Sequence, residues 1–310
     1  MYTRYVIASN ATQGGVADDL MALVTGETTV ANLSSSCDKT KTTIISTVAA
    51  GWSIHDSTGS STYRRVVSAP YIGNGAKYKF FEIAVDYTNR FTGYLYESFD
   101  SGTHSGTNIT ANSTNYKQQL DLSGGSIIHI FSSARFIAFC SAMNNGSLGD
   151  EINSGCTIAS EYKPLTVWND DTNYPYPASI FITSQGFYQD YCFSPRIRNK
   201  LNLDVTGADA IMNIASFGAS YGNLTSSAVF PAGVDAKIFT SGGGKIIPLM
   251  PIQLVRPPSL IAPIGEVSSV SDIWLAPSGT LSPFQKVSIS GNEYMALPGY
   301  STTTCLVRAA

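Results

Sequence analysis

Apolar and polar positions alternate along residues 78–96, and their period identifies the local structure. Tyr78, Phe80, Glu82, Ala84 and Asp86 fall on one parity, and Lys79, Phe81, Ile83, Val85 and Tyr87 on the other. The second set is apolar apart from its first residue, as one face of a half-buried strand requires. After a Thr88-Asn89-Arg90 turn, the return run alternates Phe91, Gly93 and Leu95 against Thr92, Tyr94 and Tyr96. Two such runs joined by a short polar turn predict a β-hairpin.

The rest of the chain repeats this design. Strands are expected over 2–8, 40–50, 63–69, 126–131, 134–142, 178–183, 226–231, 270–276, 286–290, 293–297 and 302–308. Pro70 closes the third of these, and Asn74-Gly75 is a hairpin signal that favours positive φ. Val16, Leu20, Met21, Leu23 and Val24 have helical spacing. With Asp18 and Asp19 in the first turn and Gly26 as a stop, they predict a short amphipathic helix over 16–24. A second short helix is expected over 209–215. Residues 97–118 read as a long polar loop, of the kind that serves as a contact element. Pro248 and Pro251 demote 245–255 to an edge or bulged strand. These signals predict an all-β fold of antiparallel β-sandwich type, with one short N-terminal helix and long loops. Loop-like flanks near 144–160 divide the chain into 1–150 and 151–310, with a single elaborate domain as the alternative.

Composition narrows the function. Charged residues make up 13% of the 310, and the net charge is −3. That charge share is roughly half the usual one. The small basic groups Arg64-Arg65, Lys77/Lys79 and Arg196/Arg198/Lys200 do not form the basic patch of a nucleic-acid binder. No window approaches the length of a membrane-spanning apolar run. The N-terminal residues are too short and too polar a stretch for a signal peptide. A surface low in charge and rich in Ser, Thr, Asn and Tyr suits a large assembly or a carbohydrate-facing protein. Aromatic enrichment fits the interface cores of the first and sugar stacking in the second.

Candidate chemistry is sparse. There is no phosphate-cradling loop, dinucleotide fingerprint, G-x-S-x-G, H-E-x-x-H or EF-hand loop, and no cofactor or metal is implied. Cys37, Cys140, Cys156, Cys192 and Cys305 have neither the spacing of a disulfide framework nor that of a metal site, and they read as separate reduced thiols. Asp170 and Asp171, beside Trp168 and Tyr174, are the carboxylates best placed for a sugar site. Glycoside hydrolysis needs two carboxylates facing one bond, and neighbours on a strand point to opposite faces, so a loop cap, a calcium-like oxygen cluster or, most plainly, a solvated turn is the expected role. His55 with Asp56, and His104 with Asp100, are further acid–imidazole neighbours. His129 sits in an apolar strand, as a core or interface imidazole would. The aromatic, Pro-rich segment carrying Tyr162, Trp168, Tyr174, Tyr176, Phe187, Tyr188 and Tyr191 and the loop carrying Phe99 and His104 supply the interface candidates. No catalytic residue is assigned.

Three stretches resemble virion structural proteins of tailed bacteriophages. The first runs from Gly51-Trp52 through Tyr63-Arg-Arg-Val-Val-Ser-Ala-Pro70 to Lys77-Tyr-Lys-Phe80. The second joins Tyr96-Glu-Ser-Phe-Asp100 and His104-Ser-Gly-Thr-Asn108 to Ile128-His-Ile-Phe-Ser-Ser-Ala-Arg-Phe-Ile137. The third is Asp272-Ile-Trp-Leu-Ala-Pro-Ser-Gly279 with Ile289-Ser-Gly-Asn-Glu-Tyr294. The resemblance covers about half the chain as a general pattern. It implies a non-enzymatic tail, collar or baseplate-associated subunit, assembled in the host cytoplasm. Its partners would be copies of itself in a ring and other virion proteins, with no nucleic acid and no membrane. A receptor- or carbohydrate-binding module is the alternative, and a glycan hydrolase a third expectation.

Overall fold

The computed structural model describes residues 1–45, 51–58, 63–71, 74–85, 90–108, 118–119, 122, 124–143, 152–164, 176–182, 191–193, 197–198, 204–205, 211–214, 237–240, 246–251, 253–255, 263–267, 272–277, 281–282, 284–297 and 303–309. They form an all-β protein of antiparallel sheets. The chain divides into two compact units, Met1–Glu161 and Tyr162–Ala310. The division falls inside a strand, later than the loop-like stretch that suggested a boundary after residue 150.

The first unit contains β1 (Tyr2–Val6), α1 (Gln13–Val24), β2 (Thr43–Ile44), β3 (Ser53–Asp56), β4 (Arg64–Tyr71), β5 (Asn74–Val85), β6 (Arg90–Asp100), β7 (Ser105–Asn108), β8 (Gln118–Gln119), β9 (Ser126–Ser132), β10 (Ile137–Met143) and most of β11 (Ile152–Pro164). One sheet runs β3-β4-β5-β6-β7, with β8 also on β6; the other runs β2-β1-β9-β10-β11. Their facing sides share one core: Val67, Phe81, Ile83, Val85, Phe91 and Leu95 from the first meet Tyr5, Ile7, Ile128, Ile130, Ile137 and Phe139 from the second. Phe139 contacts Phe81 and Phe91, with ring centroids 5.9 and 4.9 Å apart. This is sandwich packing, in which inward side chains of two sheets interdigitate. The sheets approach closely at Gly93. A Cβ there would run into the Phe81 ring and lie 3.0 Å from Thr157 Cγ2.

α1 joins both sheets. It starts three residues before the expected position, because Thr12 caps it by accepting from the Gly15 amide (3.1 Å). Asp18 and Asp19 therefore lie beyond the first turn, where a dipole role was expected for them. Asp18 pairs with Arg65 of β4 at 2.6 Å. Asp19 is buried and accepts from the Tyr5 hydroxyl of β1 (2.8 Å), the Ser34 amide (2.6 Å) and the Ser34 hydroxyl (2.9 Å). Burial pushes the Asp19 carboxyl above its ordinary value against these hydrogen bonds.

The predicted hairpin forms as β5 and β6, with Phe81 opposite Leu95 and Ile83 opposite Gly93. Pro70 lies inside β4, where it was expected to end the strand. Pairing with β3 ends at Ser68, and Pro70 lies opposite Tyr78 of β5. The expected loop from 97 is partly strand: β6 continues to Asp100 and turns into β7, with Asp100 opposite Ser105.

In the second unit, Lys237–Thr240, Ile246–Pro251, Ile273–Pro277, Thr303–Arg308, Asn292–Leu297 and Lys286–Ile289 follow one another across a six-stranded sheet. Its core includes Leu249, Trp274, Val287, Ile289, Tyr294 and Leu306. Pro248 and Pro251 both sit within a sheet strand. Tyr176–Ile182, Tyr191–Phe193, Ile211–Ile214, Gln253–Val255 and Pro263–Val267 pair in sequence order. Residues 211–214 are thus a strand where a helix was expected. A run of four with three apolar residues does not distinguish the two, and pairing on both sides decides it. The strand expected over 226–231 lies outside the described residues.

Candidate functional site

The two interface candidates with described side chains, Phe99 and His104, occupy one hairpin of the sheet formed by β3 to β8. Along β5, Tyr78 and Phe80 share the parity opposite to the core-facing Phe81 and Ile83. Tyr96 lies across from Phe80. A bulge in β3 between Ile54 and Asp56 frees His55 from the ladder. The His55 ring meets the edge of Phe80 at 4.7 Å and of Phe99 at 5.8 Å, and Tyr96 meets Phe99 at 5.1 Å. His55 Nε2 lies 3.2 Å from the Phe99 carbonyl. A carbonyl only accepts, so Nε2 carries the hydrogen. His55, Phe80 and Phe99 are half-buried, and Tyr78 is exposed.

His104 stands at the hairpin tip with φ of 49°, in the left-handed region. Asp100 shapes the turn by accepting from the Gly102 (2.7 Å) and Thr103 (3.3 Å) amides. The tip is fastened to β3: His104 Nδ1 donates to Asp56 Oδ2 at 2.6 Å. The Asp56 side chain is 3% exposed and the imidazole 33%. Asp56 Oδ1 accepts from the Thr58 amide and hydroxyl, both at 3.0 Å. The contacts thus differ from the expected pairings of His55 with Asp56 and of His104 with Asp100, and His55 turns to the Phe99 carbonyl. His104 takes Asp56, and Asp100 serves its own turn.

Next to this clasp, Glu82 is buried on the same sheet. Its Oε1 lies 2.7 Å from Arg64 Nη2, an ion pair without the angle of a hydrogen bond. Its Oε2 accepts from the Tyr96 hydroxyl at 3.1 Å. Arg64 also lies over the Tyr94 ring, 5.5 Å from its centroid. Burial pushes the Glu82 carboxyl up, and Arg64 and Tyr96 offset only part of this. The Tyr96 phenol is also raised, first by burial and then by Glu82. Both carboxylate oxygens contact neighbours within the sheet, so this group holds Arg64 and Tyr96 in place under the aromatic face.

Tyr162, Tyr176 and Tyr191 lie on described strands. Trp168, Tyr174, Phe187, Tyr188, Asp170 and Asp171 lie outside the described residues. Sequence reasoning passed over Phe80 and Tyr96 as site residues, although their shared parity on the central hairpin was visible. The 48-residue separation of Asp56 and His104 left no such signal. Among the described residues, no group of three metal-binding side chains converges, and no helix is long and apolar enough to cross a membrane. No protein-family model matches the chain, and no curated protein matches it.

Proposed function

We propose that the chain is a structural subunit of a tailed bacteriophage particle. It is repeated in a symmetric assembly at the tail, neck or baseplate and held by contacts with its own copies and with neighbouring virion proteins. The observation that carries this is the aromatic face of the sheet formed by β3 to β8. Of the three exposed large hydrophobic residues among those described, Tyr78 lies on this face. It accompanies half-buried His55, Phe80 and Phe99. Aromatic groups of this kind are enriched in protein interfaces, and charged ones are depleted. The low charge of the chain and its resemblance to virion proteins support the same reading. The chain is non-enzymatic in this role.

Light scattering behind size-exclusion chromatography, with electron microscopy of the main peak, tests the reading. A closed ring that Tyr78→Asp disperses without lowering the melting temperature is the expected result. The half-buried rings beside the hydroxyl-rich hairpin of Ser98, Thr103, Ser105 and Thr107 also suit a stacked sugar. A monomer at every concentration that binds glycans, and loses them in Phe99→Ala, would transfer the face to carbohydrate recognition.

A further inference from the structure

Cys140 and Cys156 occupy directly opposed positions on the antiparallel strands β10 and β11. They lie 16 positions apart in sequence, with a stretch outside the described residues between them, so their spacing did not mark them as a pair. Directly opposed residues of an antiparallel ladder have Cα atoms about 4.5 or 5.5 Å apart, according to their place in the hydrogen-bond pattern. Both values lie within the roughly 4.4–6.8 Å window for a disulfide. The Cys140 thiol is fully buried.

We propose that Cys140 and Cys156 are a cross-strand redox pair that closes to a disulfide in an oxidising environment. The oxidant is a small disulfide such as oxidised glutathione. One thiolate attacks it, forming a mixed disulfide and releasing one glutathione thiol. The second thiolate then displaces the other glutathione. Two protein thiols lose two protons and two electrons, one S–S bond forms, and one small disulfide becomes two thiols.

The neighbouring register argues against a metal. His129 lies opposite Cys140 on the other side, so the three residues line up across three strands. His129 and Cys156 are two strand spacings apart, about 9.5 Å. Zinc bonds of about 2.1 Å to nitrogen and 2.3 Å to sulfur require both outer groups to converge over Cys140. His129 Nδ1 is also engaged by the Tyr2 hydroxyl at 2.9 Å. The two adjacent cysteines need no such convergence.

Burial slows exchange in the folded protein, so the test gives the oxidant access during folding. The full reduced chain is refolded in a glutathione redox buffer, its remaining thiols are alkylated, and non-reduced peptides are mapped by mass spectrometry. The expected result is one linked peptide pair containing Cys140 and Cys156, with alkylated thiols falling from five to three. The oxidised form should also melt higher than the reduced one. Cys140→Ser and Cys156→Ser should each abolish the loss of thiols. The same map on protein exported to the bacterial periplasm provides a second measurement if refolding is poor. Five alkylated thiols in folded protein, a link to another cysteine, a lasting single glutathione adduct, or stoichiometric zinc in the reduced protein would each overturn the proposal.

Discussion

Lys79 stands where the alternating pattern calls for an apolar side chain, and it is fully buried there. Its Nζ donates to the Pro70 carbonyl (3.2 Å) and the Ala134 carbonyl (3.3 Å). It also lies 5.4 Å from the ring centroids of both Trp52 and Tyr71. A buried ammonium is tolerated only when paired with groups of this kind. Lys79→Met keeps the length of the side chain but leaves two carbonyls without this donor. It should lower stability by about 2–4 kcal/mol in chemical denaturation; a neutral result would mean that the cage contributes only packing. Glu82 makes a prediction about pH. Its folded value is raised, so the folded state holds a proton more tightly than the unfolded state. Its stabilising contribution is fully present below the unfolded carboxylate value, about 4.3, and is lost as pH rises through the folded value. Glu82→Gln has no such titration. Between pH 7.5 and pH 5 the melting temperature of the wild type should therefore rise relative to that of Glu82→Gln. An equal or opposite change would show that Arg64 and Tyr96 outweigh burial.

At the scale of the element, the hairpin of β6 and β7 is fastened at its tip by one contact between His104 and Asp56. His104→Ala leaves a buried carboxylate without that donor and releases the tip from β3. Hydrogen exchange should quicken in the amides of 98–108 while those of β5 stay protected. Uniform quickening would mean that the contact supports the whole sheet. The helix, the central hairpin and the last three strands were legible because each carries its own period and punctuation. β7 was not, because Ser105, Thr107 and Asn108 are polar and hydrophobic periodicity has nothing to register in an edge strand. Residues 211–214 were misread because so short a run takes its identity from its neighbours. The same limit applies to the site. Phe99 and His104 were chosen from the sequence, but the ring and carboxylate they meet come from β3, and only the sheet register brings those residues together.

At the scale of the molecule, each unit has its own hydrophobic core, one around Phe81 and Phe139 and the other around Trp274 and Leu306. Domains with separate cores can unfold as separate cooperative steps. Substitutions confined to one core then give a direct measure of independence. Gly93→Ala drives a methyl group into the Phe81 ring where the two sheets of the first unit approach, and overpacking of this kind costs about 1–3 kcal/mol. Trp274→Ala empties the largest fully buried side chain among the described residues of the second unit, at a cost of about 3–5 kcal/mol. Differential scanning calorimetry should resolve two transitions. Gly93→Ala should move only one of them, and Trp274→Ala only the other. A single transition that both substitutions lower would mean that the division after Glu161 separates contacts without separating folding, and that the chain unfolds as one body. Two transitions would make the units separable for assembly experiments, so that the aromatic face of the first unit could be tested for self-association on its own.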